Sequence, residues 1–179
     1  ESVTATIETL REALEAGLTR ADLQAQMPAG AARCAVDCAL WDLEAKMTGT
    51  PVWQLAGLPE PKPVETAVTV SLDTPEKMAE AARAIRGQLL KLKLGGAEDL
   101  KRIEAVHVAR PDARLIIDAN EGLVPAEFPN ISRAAAALGV VLIEQPFPAG
   151  DDAALERRPG PVAICADESA HTTADIQDL

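Results

Sequence analysis

The sequence contains no tyrosine, and two tryptophans and two phenylalanines are its only aromatics, 2% of 179 residues. Hydrophobic residues still make up 47%, so the core it builds is aliphatic and rich in alanine. Basic residues are also short, 17 against 28 acidic ones, for a formal charge of −11. That balance excludes nucleic acid and an anionic membrane as partners, because either demands a basic patch. The acidic surplus is a solubility feature and does not by itself favour a cationic substrate. Cysteine is confined to Cys34, Cys38 and Cys165, and histidine to His107 and His171. An odd cysteine count makes no closed disulfide framework, and without C-x-x-C a structural zinc site has no basis. The cysteines are expected to be small buried apolar residues of a reducing compartment. No apolar run approaches the roughly 18 residues of a membrane span, and no signal peptide opens the chain, so a cytoplasmic location is expected. Neither G-x-G-x-x-G after the first strand nor G-x-x-x-x-G-K-[ST] occurs, which leaves the two main nucleotide-binding readings unsupported.

What is present divides at a proline run. Residues 1–58 read as helical. Val3, Ile7, Leu10 and Leu14 form an amphipathic stripe closed by Gly17, and a short helix opens near Thr19. A stronger helix over Ala31 to Met47 is expected to present Cys34, Cys38, Trp41 and Ala45 on one face, with Asp37, Asp42 and Glu44 as solvated or paired charges. A short helix follows Pro51. Residues 59–63 then hold three prolines in five positions, an extended linker that joins neither helix nor central strand. Residues 64–179 alternate strand and helix. Strands are expected at Val64 to Leu72, Leu89 to Leu94, Ala113 to Asp118, Val140 to Glu144 and Val162 to Asp167. Helices are expected from Pro75, over Ala97 to Ala109, Ile131 to Leu138 and Asp151 to Arg157, and from Thr173. Repeated βα units imply a parallel sheet covered by helices, either a TIM-type (β/α) barrel or a doubly wound sheet. Charged strand ends favour the barrel, although five strands are counted and a barrel has eight.

The strand ends carry the chemistry. Leu115-Ile116-Ile117 runs into Asp118, Val140-Val141-Leu142-Ile143 into Glu144, and Val162 to Ala166 into Asp167. The acids lie 26 and 23 residues apart, about one strand, one helix and two turns. Each alone could cap a helix or pair with a lysine. Three in similar register are expected to converge, and three close carboxylates need a counter-charge. Mg²⁺, a hard cation that takes oxygen ligands and keeps open positions, supplies one. Lys91 and Lys93 share one face of the strand that precedes Asp118 by one unit. Neighbouring positive charge would depress their pKa and suit either to act as a base near neutral pH; the alternative is an edge strand guarded by lysines. Base and metal together favour abstraction of a proton adjacent to a carboxylate, through a metal-stabilised enediolate, over phosphoryl transfer.

Lys91-Leu-Lys93, Asp118-Ala-Asn120-Glu121-Gly122, Glu144-Gln145-Pro146 and Ala166-Asp167-Glu168-Ser169 resemble, in order, the signatures of the enolase superfamily, muconate-lactonizing subgroup. Ala32 to Leu43 and Thr48 to Val52 resemble the end of that family's lid domain. The resemblance implies a helical part of an α+β capping domain before a catalytic barrel, with Asp118, Glu144 and Asp167 on Mg²⁺. It implies Lys93 as the proton-exchanging base, with Lys91 holding the substrate carboxylate. It further implies Asn120 and Glu168 as their supports and Thr69 as a substrate contact. The segment 118–122 looks most like dipeptide epimerases acting on L-Ala-D/L-Glu in peptidoglycan recycling. A small dipeptide or carboxylate is then the partner, and homo-oligomerisation is left open. A cycloisomerase, an o-succinylbenzoate synthase, an N-acylamino acid racemase and a non-catalytic half-barrel remain alternatives. The family's sixth-strand lysine, its eighth-strand acidic motif and the first strands of the lid are not in the sequence, so the residues present are not expected to be active alone.

Overall fold

A computed structural model describes residues 2–156 and 160–179. They form two compact units, Glu1–Pro63 and Val64–Leu179. Arg157, in the last turn of one expected helix, lies outside the described residues.

The first unit is helical: α1 (Val3–Glu8), α2 (Arg11–Glu15), α3 (Arg20–Gln26), α4 (Ala31–Thr48) and α5 (Val52–Leu55). The expected single helix over Val3 to Leu14 is two, because the chain breaks at Thr9–Leu10. The Thr9 hydroxyl donates to the Thr6 carbonyl at 2.7 Å, a local bond that competes with helix continuation. The apolar stripe survives the break. Ile7, Leu10 and Leu14 pack with Leu23, Met27, Val36 and Leu40. The buried face of α4 is thus Ala32-Val36-Leu40, not the face of Cys34 and Cys38. All three cysteines are exposed, which corrects the expectation that they are buried; α1 and α3 pack on the Val36 side of α4, and an offset of two residues turns Cys34 and Cys38 about 200° away from it. Trp41 instead lies under the Arg20 guanidinium, 3.3 Å from the ring centroid, and Arg20 pairs with Glu44.

The second unit alternates strand and helix: β1 (Val68–Val70), α6 (Pro75–Ala84), β2 (Leu89–Lys93), α7 (Asp99–Ala109), β3 (Arg114–Asp118), α8 (Phe128–Ala137), β4 (Val140–Glu144), a 3-10 turn (Asp152–Leu155), β5 (Ala163–Cys165) and α9 (Thr173–Asp178). Pro129 sits in the first turn of α8, where its missing N–H costs nothing, so the helix starts at Phe128 and not at the expected Ile131. The strands form one parallel sheet in the order β1-β2-β3-β4-β5. Each strand lies beside its predecessor and the order never reverses, which is the winding of a barrel wall and not of a doubly wound sheet.

Alternation along the strands sorts the residues to two faces. Leu90, Leu92, Leu115, Ile117 and Ile143 are fully buried against Met78, Ala82, Ile103, Val106, Phe128 and Ala135 of the helices. The opposite face carries Thr69, Lys91, Lys93, Ile116, Asp118, Leu142 and Glu144. A register shift between Leu115 and Ile116 sets Val140 beside Leu115 but Leu142 beside Ile116. Without that extra residue, Asp118 would pair with Ile143 and Glu144 would point among the helices.

Candidate active site

Parallel pairing brings Lys93, Asp118 and Glu144 to one level at the carboxyl ends of β2, β3 and β4. Lys91 stands two residues lower on the same face, beside Thr69 of β1. The Lys91 ammonium lies 2.9 Å from Asp118 and 2.7 Å from Glu144, bridging the two carboxylates. Lys93 donates to Asp118 at 2.6 Å and to the Asn120 Oδ1 at 3.0 Å. Asn120 Nδ2 reaches Glu168 Oε1 at 3.2 Å, while Glu168 Oε2 is buried without a partner. Two cations and two anions thus interlock, and both amine groups point at the acids.

Burial and pairing oppose each other here. Burial alone would lower the Lys91 pKa, but hydrogen bonds and charge from Glu144 and Asp118 prevail and raise it above the usual lysine value. The expected depression is therefore corrected: the nearest charges to Lys91 are acids, not its neighbouring lysine. Asp118, with a side chain 1% exposed, is pushed up by burial and pulled further down by Lys93, Lys91 and the Asn120 N–H.

Asp167 is not drawn into this cluster. Among the described residues no three His, Cys, Asp or Glu side chains gather as they would around one ion, and the cluster itself is two acids and two lysines. The register supplies the reason. Glu144 pairs with Cys165, which leaves Asp167 two residues past the end of β5, on an exposed loop. Thr69 is exposed on the site face at the β1 edge.

The residue passed over in the sequence is Gln145. It is 1% exposed and its carboxamide makes four bonds, to the Asp167 N–H, the Ser169 N–H, the Phe147 carbonyl and the Ser169 hydroxyl. Its signal was its place, a polar residue between a strand-end acid and Pro146. The backbone around the rim is also unusual. Asn120, Glu121 and Gln145 have φ of 41°, 65° and 34°, left-handed values that cost non-glycine residues about 1–2 kcal/mol each and that concentrate at functional sites.

A parallel βα wall whose strand ends present facing lysines and acids is an arrangement suited to acid–base chemistry. Residues 74–179 match the enolase C-terminal domain-like family, and residues 2–57 match the N-terminal domain of mandelate racemase / muconate lactonizing enzyme. The chain belongs to the enolase superfamily, within its mandelate racemase and muconate lactonizing enzyme family. It is 45% identical to the L-Ala-D/L-Glu epimerase of Escherichia coli, over 99% of this chain and 56% of the relative. It also resembles the crystal structure of an Agrobacterium tumefaciens enolase family member with homology to dipeptide epimerases, holding sodium and L-Ala-L-Glu. That likeness has a TM-score of 0.90 and 51% identity, over 99% of this chain and 55% of the other. The dipeptide epimerase of Enterococcus faecalis, complexed with Mg and L-Leu-L-Tyr, has a TM-score of 0.86 and 28% identity, over 100% of this chain and 55% of that one. The chain therefore spans about half the length of these relatives.

Proposed function

We propose that the whole protein is an Mg²⁺-dependent epimerase of dipeptides of the L-Ala-D/L-Glu type, working in the cytoplasm on fragments of peptidoglycan. The observation that carries this reading is the Lys91-Lys93 pair facing Asp118 and Glu144 on the open rim of a parallel βα sheet. The resemblance to dipeptide epimerases supports the substrate class.

The residues fit a hard cation. The Lys91 ammonium already occupies the point on which the Asp118 and Glu144 oxygens converge, so a positive charge is accommodated there by two carboxylates. Asp118 and Glu144, joined by Asp167 from the next loop, would hold Mg²⁺, which when bound supplies charge against a substrate carboxylate. Lys93 stands at the rim beside Asp118 and Asn120, the better placed of the two amines to act as the base. Its Nζ takes the proton from the carbon next to the substrate carboxylate. Lys91, two residues lower on the same face of the strand, carries the positive charge that holds the carboxylate in place. Asn120 fixes the direction of the Lys93 amine through its Oδ1. Both lysines lie on β2, so the proton for the opposite face of the centre comes from a group elsewhere in the whole protein.

The test is exchange of the α-proton of L-Ala-D-Glu and L-Ala-L-Glu in D₂O, followed by ¹H NMR with the complete protein. Lys93→Ala is expected to abolish exchange for one diastereomer, a loss of about 10²-fold or more. Chelation of Mg²⁺ is expected to stop exchange for both, and re-addition to restore it. Undiminished exchange in Lys93→Ala removes Lys93 from the chemistry.

A further inference from the structure

The main-chain ladder that locks Asp118 beside Glu144 stops short of Asp167. Its last bond between β4 and β5 runs from the Gln145 N–H to the Cys165 carbonyl, at 2.8 Å. Beyond that point the Gln145 side chain continues the ladder. Its Oε1 accepts from the Asp167 N–H at 2.8 Å and from the Ser169 N–H at 3.0 Å. Its Nε2 donates to the Phe147 carbonyl and to the Ser169 hydroxyl, both at 2.8 Å. The orientation of the amide is dictated by these partners, since two main-chain N–H groups require an oxygen and a carbonyl requires the NH₂. Two lone pairs and two N–H groups are the whole capacity of a carboxamide, and all are used in a buried place.

We propose that Gln145 is a positioning residue that fixes the backbone of residues 167–169, and so the origin from which the Asp167 carboxylate reaches a cation shared with Asp118 and Glu144. This rests on the reading of those three acids as the metal ligands. Only a carboxamide meets the demand. Glutamate would set an oxygen against the Phe147 carbonyl, and a methionine of similar shape would leave the N–H groups of Asp167 and Ser169 without their acceptor. The left-handed backbone at Gln145 is consistent with a residue held in place for its side chain and not for local ease.

The experiment uses the complete protein and Mn²⁺ as a paramagnetic probe, its binding followed by electron paramagnetic resonance, together with amide hydrogen exchange. Gln145→Met is expected to speed exchange at Asp167 and Ser169 and to weaken Mn²⁺ binding about 10- to 100-fold. In an Asp167→Asn background the same change is expected to weaken binding no further, because its effect passes through that acid. Ser169→Ala, which removes one of the four bonds and keeps the amide, is expected to give a smaller shift in the same direction, and it serves if Gln145→Met does not fold. Unchanged exchange at Asp167, or a full additional loss of affinity in the double variant, overturns the role of Gln145 while the ligand reading stands. Unchanged Mn²⁺ affinity in Asp167→Asn alone overturns the ligand reading and takes the functional half of this inference with it.

Discussion

Asp118 is nearly sealed from solvent and stays ionised because two ammonium groups and one main-chain N–H face it. Burial pulls its pKa up, and the bonds from Lys93, Lys91 and Asn120 pull it down further, to a net value below the ordinary carboxylate. A group with a depressed folded-state pKa contributes stability that is complete above its unfolded value of about 3.9 and drains away as pH falls through the folded one. In metal-free protein, Asp118→Asn is therefore expected to lower the melting temperature at neutral pH and to flatten the acid limb of the stability curve. Parallel curves for the two proteins would show that the ion pairs at Asp118 add nothing to folding. At the same scale, Lys91 and Lys93 differ in surroundings although only one residue separates them. Lys91 bridges two acids, whereas Lys93 has one acid and the Asn120 oxygen, and the proposed division of roles rests on that difference.

Elements are set against each other by a few close approaches. Arg110, at the end of α7, donates to the carbonyls of Ala82, Ile85 and Gly87 and pairs with Asp112, tying the α6–β2 turn to the α7–β3 turn. The approach to β5 depends on a glycine. A Cβ at Gly160 would fall 1.9 Å from Ser132 Oγ and 2.3 Å from its Cβ, on the buried side of α8. Gly160→Ala is expected to destabilise the protein by about 1–3 kcal/mol in urea unfolding, as overpacking does. Ser132→Gly in the same protein should recover part of that loss, because it removes both atoms the new methyl meets. No recovery would place the cost in the backbone and not in the clash. The register shift between β3 and β4 belongs here as well, since one extra residue at Val141 decides that Glu144 faces Asp118. Neither the glycine contact nor the shift leaves a mark in a single sequence: both are relations between segments that are distant along the chain.

At the scale of the molecule, the two units divide between Pro63 and Val64, and residues 56–66 are all exposed. Prolines at 59, 61 and 63 shield the bonds that precede them, and Glu65–Thr66 is the first acidic-residue bond without that protection. A glutamate-specific protease under native conditions is expected to cut there first, giving two fragments whose masses are read directly. Prior cutting within α4 would show that the helical unit opens before the connection does. The inner face of the sheet carries exposed Thr69, Ala163 and Cys165 beside the charged cluster. Residues 1–179 expressed alone are accordingly expected to show no α-proton exchange, since an open site cannot keep water from the acids and the base.

The sequence by itself determined the parallel βα repeat, the positions of β2, β3 and β4, and the two lysines and two acids that meet. An apolar run abutting a charge is a local pattern, and strand alternation carries it straight to one face. Only the tertiary structure decided that Lys91 bridges Asp118 and Glu144, that Asp167 starts two residues beyond its strand, and that Gln145 holds it there. Those outcomes depend on register, a sum of pairings across neighbouring strands, and a single residue of slip changes which side chains share a face.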